Sequence, residues 1–274
     1  VCHGSHRDMS GVETPDPALL ERQNRTLQKK LARAERKLET LEILQAQNAN
    51  LMRALMADLD EERSESERLL LNILPAPIAQ RLKTEPGVIA DRFDSVSVLF
   101  SDIVGFTPLS ETLSAQHMVE WLNDVYSVFD TLVRDHDVEK IRTIGDGYMV
   151  AAGVPFPRDE HADALTRLAL DMKAHFATLP PVSGNRVDFR IGINSGPVVG
   201  GVIGTHKFQY DIWGDTVNTA ARMESHGVPG RIHISTATYE LISQEFICEP
   251  RGSIEVKGKG EMETWFVQRP SDLR

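Results

Sequence analysis

Hydrophobic and polar positions along this chain fall into two regimes. From Leu19 to Arg68 there is no proline and no glycine. Over that stretch Leu20, Leu27, Leu31, Leu38 and Leu41 recur at spacings of three, four and seven, and Met52, Leu55 and Leu59 resume the pattern. This period predicts one long helix with a narrow apolar seam, as in a parallel two-stranded coiled coil. Asn24 and Asn48 are polar interruptions of the kind that fix register, while Gln45, Asn48 and Asn50 weaken the seam midway. At about 1.5 Å per residue the helix reaches roughly 60 Å or more, too long for one small domain to cover. Pro75 and Pro77 end it by removing amide donors. Ile78 to Lys83 then reads as a short amphipathic helix, and Glu85-Pro86-Gly87 as a turn.

From Ser95 onward the period switches between two and 3.6 residues. Ser95–Phe100 is expected as a strand. Ser114–His136 is expected as a helix with Leu122, Val125, Phe129 and Leu132 on one face. Glu139–Ile144 and Tyr148–Ala152 read as a hairpin through Gly145-Asp146-Gly147. His161–Leu179 is a second helix and Val187–Asn194 a strand, followed by a glycine-rich connection. A strand at Phe208–Ile212, a helix at Thr216–Ser225 and a small β/α tail complete the chain. The order βαββαβ predicts an α+β, ferredoxin-like core with a small C-terminal extension. The expected division is a disordered or cloning-derived start at 1–17, a coiled-coil signalling helix at 18–74, a linker with a short helix at 75–94, and a catalytic domain at 95–270.

Composition narrows the function. The chain has 274 residues, 41% of them hydrophobic, so it supports a sizeable core. Its net charge of −10 argues against a surface for nucleic acid. No apolar run approaches the roughly 20 residues needed to cross a bilayer, and no signal-peptide pattern opens the chain. Cys2 and Cys248 have neither metal-ligand spacing nor a disulfide framework, which fits a reducing, cytoplasmic setting.

The chemistry gathers at two strings, Phe100-Ser101-Asp102-Ile103-Val104-Gly105-Phe106-Thr107 and Ile144-Gly145-Asp146-Gly147-Tyr148. Each puts an aspartate where an apolar run gives way to glycine. Taken singly, Asp102 is a helix cap and Asp146 a turn former, since Asp-Gly is a common hairpin dipeptide. Taken together, on strands that are neighbours in a split βαβ fold, they can hold Mg²⁺ over a phosphate chain. The amides of Ser101 to Thr107 can form an anion-binding nest, with Thr107 adding a hydroxyl. Asn218 and Arg222 are four apart on a predicted helix and share a face.

These strings, with Arg190–Ile203, Gln209-Tyr210-Asp211-Ile212-Trp213-Gly214-Asp215-Thr216-Val217-Asn218-Thr219-Ala220-Ala221-Arg222 and Val256-Lys257-Gly258-Lys259-Gly260, resemble the catalytic domain of class III nucleotidyl cyclases. The resemblance covers roughly Val96 to Gln268, and the helix before it resembles the transducing element of bacterial members. It implies a head-to-tail homodimer with sites at the interface. Asp102, Asp146 and the Ile103 carbonyl would hold two Mg²⁺ or Mn²⁺, and Phe106 and Thr107 would line the substrate. Asn218 would orient the ribose. Arg222 would answer the charge gathering at the α-phosphate. Lys257, with Lys259 as helper, would contact the triphosphate, and Arg190 the β- and γ-phosphates.

Base choice in this family rests on two positions, occupied here by Arg142 and Asp211. Adenylate-forming members usually carry lysine and aspartate there, guanylate-forming members glutamate and cysteine. Asp211 accepts from adenine's amino group and repels guanine's carbonyl oxygen, while Arg142 donates to adenine N1 or pairs with Asp211 across the pocket. The expected activity is therefore conversion of ATP to cyclic AMP and pyrophosphate, with Asp102 or water as proton acceptor. A guanylate cyclase and a non-catalytic dimer partner are the alternatives. An upstream sensor or membrane anchor is compatible with the amino-terminal helix.

Overall fold

The structure, a computed structural model of the chain, describes residues 16–84, 87–182, 184, 186–204 and 208–269. Most of the stretch 1–17, Glu85 and Pro86 of the expected turn, and the last residue of the expected 95–270 domain lie outside them. The chain divides into two units, Val1–Arg68 and Leu69–Arg274.

Apart from Asp16, the described part of the first unit belongs to α1 (Pro17–Leu71), a 55-residue helix with no buried residue. At 1.5 Å per residue it is about 80 Å long. Leu20, Leu27, Leu31, Leu38, Leu41, Leu55 and Leu59 are all exposed along it. Among the described residues no helix is long and apolar enough to cross a membrane.

The second unit is built on one eight-stranded sheet. Its elements are α2 (Ala76–Thr84), β1 (Ile89–Val104), α3 (Phe106–Thr112), α4 (Ala115–Asp135), β2 (Glu139–Ile144), β3 (Gly147–Ala152), α5 (His161–Thr178) and β4 (Asp188–Ile203). There follow β5 (Gln209–Trp213), α6 (Asp215–Ser225), β6 (Ile232–Ser235), α7 (Thr236–Ile242), β7 (Ile247–Val256) and β8 (Gly260–Gln268). The order is β2-β3-β1-β4-β6-β8-β7, with β5 also on β4. The first four strands are antiparallel neighbours, which is the ferredoxin-like arrangement. The C-terminal strands continue the same sheet, β6 parallel to β4.

Strand alternation sends side chains to two cores. Leu99, Ile103, Tyr148, Val150, Phe189, Ile191 and Ile193 pack with α4, α5 and α7. Val96, Val98, Met149, Ala151, Val198 and Ile212 pack with Leu74, with Ile78 and Ala79 of α2, and with Ala220 of α6. Ser114 caps α4 by accepting from the His117 amide, which is why that helix starts where the sequence turns polar.

Two strands outrun their expected limits. β1 begins at Ile89, inside the stretch expected as linker, because Ile89 to Phe93 pair with Val198 to Val202 and Ile89 is buried. β4 runs on to Ile203 through the stretch read as a glycine-rich connection. A Cβ at Gly201 would collide with the backbone of Ile89, and one at Gly200 with the Tyr210 ring and hydroxyl. These glycines serve close packing in a strand. The short helix α3 was not anticipated.

Candidate active site

The first group of polar side chains sits where β1 ends. In register, Asp102 lies opposite Gly147 of β3 and opposite Arg190 of β4. Asp146 is in the β2–β3 turn, one residue before Gly147, so the hairpin brings its carboxyl beside that of Asp102. The Asp146 carboxyl is held above its ordinary range by burial first and by the Asp102 charge second, while the Ile103 backbone N–H, donating to it, works the other way.

Arg190 donates from Nη2 to Asp102 Oδ2 at 2.9 Å and from Nε to Glu224 Oε1 at 2.9 Å. The guanidinium expected near the phosphates therefore stands on Asp102 and on α6. Glu224 is pushed up to about 6 by burial, with Arg190 pulling against that. Tyr126 of α4 places a buried hydroxyl with no hydrogen-bond partner in the field of the two aspartates. Burial and then the Asp146 and Asp102 charges raise it.

Gly105, at φ 76°, turns the chain into α3. The half-buried Phe106 ring packs against the α4–α5 core, and Thr107 is exposed.

These residues fit a hard divalent cation bound together with a phosphate. Among the described residues no group of three or more His, Cys, Asp or Glu side chains is gathered that could hold a metal alone. Two adjacent carboxylates form instead the partial oxygen set that Mg²⁺ takes when substrate phosphates and water complete its octahedron.

The second group surrounds β5 and α6. Asp211 is 7% exposed. Its Oδ1 accepts from the Ile212 N–H at 2.9 Å, and its Oδ2 from Arg142 Nη1 of β2 at 2.6 Å. Arg142 Nε is buried without a partner. On α6, Thr216, Thr219, Ala220 and Met223 form the buried face, leaving Asn218 and Arg222 together on the exposed face. Lys259 reaches Asp215 at the start of α6, and this contact brings the β7–β8 turn, with its exposed Lys257, to that helix.

No hydrogen bond or ion pair among the described residues joins Asp102 or Asp146 to Arg142, Asp211, Asn218 or Arg222. One chain carries two separate sets of groups. Glu224 and Tyr126 were missed from the sequence. A tyrosine on the otherwise apolar α4 face was the available signal for Tyr126, whereas Glu224 has none without the register that sets Arg190 opposite Asp102.

Residues 88–269 match the family described as the Adenylate and Guanylate cyclase catalytic domain. The chain is 48% identical over 212 residues to an adenylate cyclase of Mycobacterium tuberculosis, across 77% of this chain and 48% of that protein. It is 39% identical over 263 residues to the human guanylate cyclase soluble subunit beta-2, across 95% of this chain and 41% of that protein. The chain thus spans half or less of the length of these relatives. Among solved structures, it resembles the guanylate cyclase domain of RhGC from Catenaria anguillulae in complex with GTP, at 41% identity and TM-score 0.62, covering 65% of this chain and 98% of that one. The adenylyl cyclase CyaB from P. aeruginosa is 30% identical with TM-score 0.61, covering 66% of this chain and 96% of that one. With its sheet order, its paired aspartates and its Asn218–Arg222 face, the chain belongs to the class III adenylate and guanylate cyclase family.

Proposed function

We propose that this chain is an adenylate cyclase, converting ATP to 3′,5′-cyclic AMP and pyrophosphate at the interface of a head-to-tail homodimer. The observation that carries the reading is the buried carboxylate of Asp211, held by Ile212 N–H and Arg142. An acceptor-only group there takes a hydrogen bond from adenine's amine and repels guanine's carbonyl oxygen. Arg142 supplies the donor for an adenine ring nitrogen. The adenylate cyclase relative at 48% identity supports the same base. So does the resemblance, at 42% identity and TM-score 0.62, to a rhodopsin–guanylyl cyclase core "with converted specificity in complex with ATPalphaS", which covers 65% of this chain and 97% of that one.

In the reaction the ribose 3′-oxygen bonds to the α-phosphorus, the bond from that phosphorus to the bridging oxygen breaks, and its electron pair leaves with pyrophosphate. The hydroxyl proton passes to Asp102 or to water. Asp102, Asp146 and the Ile103 carbonyl would hold two Mg²⁺ or Mn²⁺, whose chemistry would be to neutralise triphosphate charge and acidify the 3′-hydroxyl. Asn218 orients the ribose, and Arg222 answers the negative charge that grows on the α-phosphate. Lys257 holds the triphosphate, beside Phe106 and Thr107, and Arg190 reaches the β- and γ-phosphates by giving up its contacts with Asp102 and Glu224.

Because the two sets of groups are not joined within a chain, one copy brings Asp102 and Asp146 while the other brings Arg142, Asp211, Asn218 and Arg222. The exposed leucine stripe of α1 forms a parallel coiled coil, through which a sensor or membrane anchor elsewhere in a longer protein acts on a catalytic pair in the cytoplasm.

Product analysis from ATP and GTP, each with Mg²⁺ and with Mn²⁺, tests the reading. Cyclic AMP is expected to predominate, Asp146→Asn to abolish it, and Arg142→Lys to raise the preference for ATP. A preference for GTP makes the protein a guanylate cyclase. No product from either nucleotide leaves a non-catalytic dimer partner.

A further inference from the structure

The helix that presents Asn218 and Arg222 has no side-chain cap of its own. The residue before it, Gly214 at φ 142°, offers nothing to accept from the first-turn amides. What meets that turn is β4. Arg190, Gly192, Asn194 and Gly196 alternate onto the β4 face beneath α6. A Cβ on Gly192 would run into the backbone of Met223 and Glu224 at one end of the helix. A Cβ on Gly196 would come within 2.7 Å of Thr216 Oγ1 at the other. The helix therefore lies flush on the strand at both ends, with Asn194 between.

Asn194 is 6% exposed. Its Nδ2 donates to the Thr216 carbonyl at 3.0 Å, and its Oδ1 accepts from the Ser235 hydroxyl at 2.6 Å. The amide's orientation is forced, since a carbonyl only accepts. Thr216 itself donates from Oγ1 to the Pro197 carbonyl at 2.7 Å. Behind Asn194 the bonding continues through buried groups. Ser235 Oγ meets Thr238 Oγ1 at 3.4 Å, Thr238 meets Ser195 Oγ at 3.0 Å, and Ser195 meets Ser97 Oγ at 2.6 Å. Ser97 Oγ meets His161 Nδ1 at 2.8 Å, and the other ring nitrogen meets Ser95 Oγ at 2.8 Å.

Ser97 is on β1, the strand of Asp102, and Ser235 ends β6 where α7 begins. The chain of bonds thus links α5, β1, β4, β6 and α7 to the first turn of α6. An apolar core of the same volume would bury these positions without the cost of pairing every donor and acceptor. A directional bond adds something an apolar contact does not: it fixes how far the helix slides along the strand.

We propose that Asn194 is a positioning residue for the cyclase reaction: its amide pins the first turn of α6 to β4 and so sets where Asn218 and Arg222 project. The proposal rests on the cyclase reading above. Its readouts are kcat and KM for ATP with Mn²⁺ in the full chain, thermal unfolding, and amide hydrogen exchange of α6. Asn194→Ala is expected to lower kcat at least tenfold, to leave KM within threefold, and to speed exchange of the amides from Asn218 to Arg222. In an Arg222→Ala background the same change is expected to cost little more, because it acts through the group already removed. Ser235→Ala, which frees Asn194 Oδ1 but keeps its amide donor, should shift kcat and exchange the same way by less. If Asn194→Ala does not fold, Ser235→Ala carries the test with the same readouts. Unchanged kcat, a loss that multiplies in full with that of Arg222→Ala, or unchanged exchange at α6 overturns the proposal. Absence of any cyclic nucleotide from the unsubstituted protein sinks the cyclase reading instead. Exchange alone then decides whether Asn194 pins the helix.

Discussion

Gly192→Ala is the sharpest single perturbation of the way α6 is seated. The added methyl carbon would stand 2.5 Å from the carbonyl carbon of Met223 and 2.6 Å from Cα of Glu224. Both neighbours are backbone, so no side chain can turn away. The nearest atom of all is the Glu224 amide nitrogen at 1.9 Å, and such non-bonded contacts settle at about 3.5 Å, so the helix must retreat by about 1.5 Å. Forced overpacking of this kind costs about 1–3 kcal/mol of stability. The catalytic cost is larger, because about 1 Å of misplacement in a reacting geometry costs on the order of a hundredfold in rate. Asn218 and Arg222 ride on the displaced helix, and Glu224 would drag on the Arg190 contact at Asp102. The assay pairs cyclic nucleotide formation with thermal unfolding and far-ultraviolet circular dichroism. A folded variant with kcat within threefold of the unsubstituted protein and an unchanged midpoint would refute the reasoning, since α6 could not then rest on Gly192 as described.

Two further predictions follow from buried and unburied groups. His233 is fully buried and donates from Nδ1 to the Met223 carbonyl at 2.7 Å; burial, more than the nearby Arg251, lowers its pKa to about 4. In the unfolded chain it titrates near 6.5, so between those values only the unfolded state takes up the proton. Its contribution is present above about pH 6.5 and is lost as pH falls toward 4, by up to about 3 kcal/mol. Glu139, raised by burial to about 7, has the opposite sign, its contribution being present below about pH 4.5 and lost as pH rises through 7. Urea denaturation of His233→Gln beside the unsubstituted protein isolates the histidine, and identical pH dependence in the two would count against it. On α1, Leu31→Asp removes one exposed leucine of the stripe from each strand of the proposed coiled coil. At about 2 kcal/mol per side chain this weakens the dimer by about 4 kcal/mol, near a thousandfold in Kd. Sedimentation equilibrium checks it, and an unchanged Kd would rule out that seam.

The paired aspartates were legible because a charge at the end of an apolar run is conspicuous however the chain folds. Asn218 and Arg222 were legible because a four-residue spacing fixes a helical face. The contact of Arg142 with Asp211 was legible too, since both are charged, although they stand on β2 and β5, strands that do not pair with each other. What stayed hidden depends on register. Asp91, Arg92 and Asp94 made the first half of β1 look like linker, although Ile89 and Phe93 pack inward there. Gly196, Gly200 and Gly201 looked like a loop because a glycine chosen for close approach is indistinguishable in sequence from one chosen for a turn. Arg190 could be assigned to phosphate by likeness, but not to Glu224, because only strand pairing sets it opposite Asp102. His161 and Asn194 carried no spacing signal, because their partners lie far away in the chain.

The antiparallel pairing of β1 with β4 also constrains how the molecule is made. Asp102 and Arg190 are 88 residues apart in sequence, and everything between them must be synthesised before the two strands can meet. Pairings of such long range carry a loop-closure cost and fold slowly. On the ribosome, at about 5–20 residues per second, a chain that has finished β1 therefore waits several seconds with one unpaired strand edge. During that wait β3, which pairs with β1 along Ser97 to Asp102, is the first antiparallel partner to arrive. The hairpin that brings Asp146 to Asp102 thus closes the opposite edge of β1 against association with other nascent chains, and only the edge that β4 will take stays open until β4 is made.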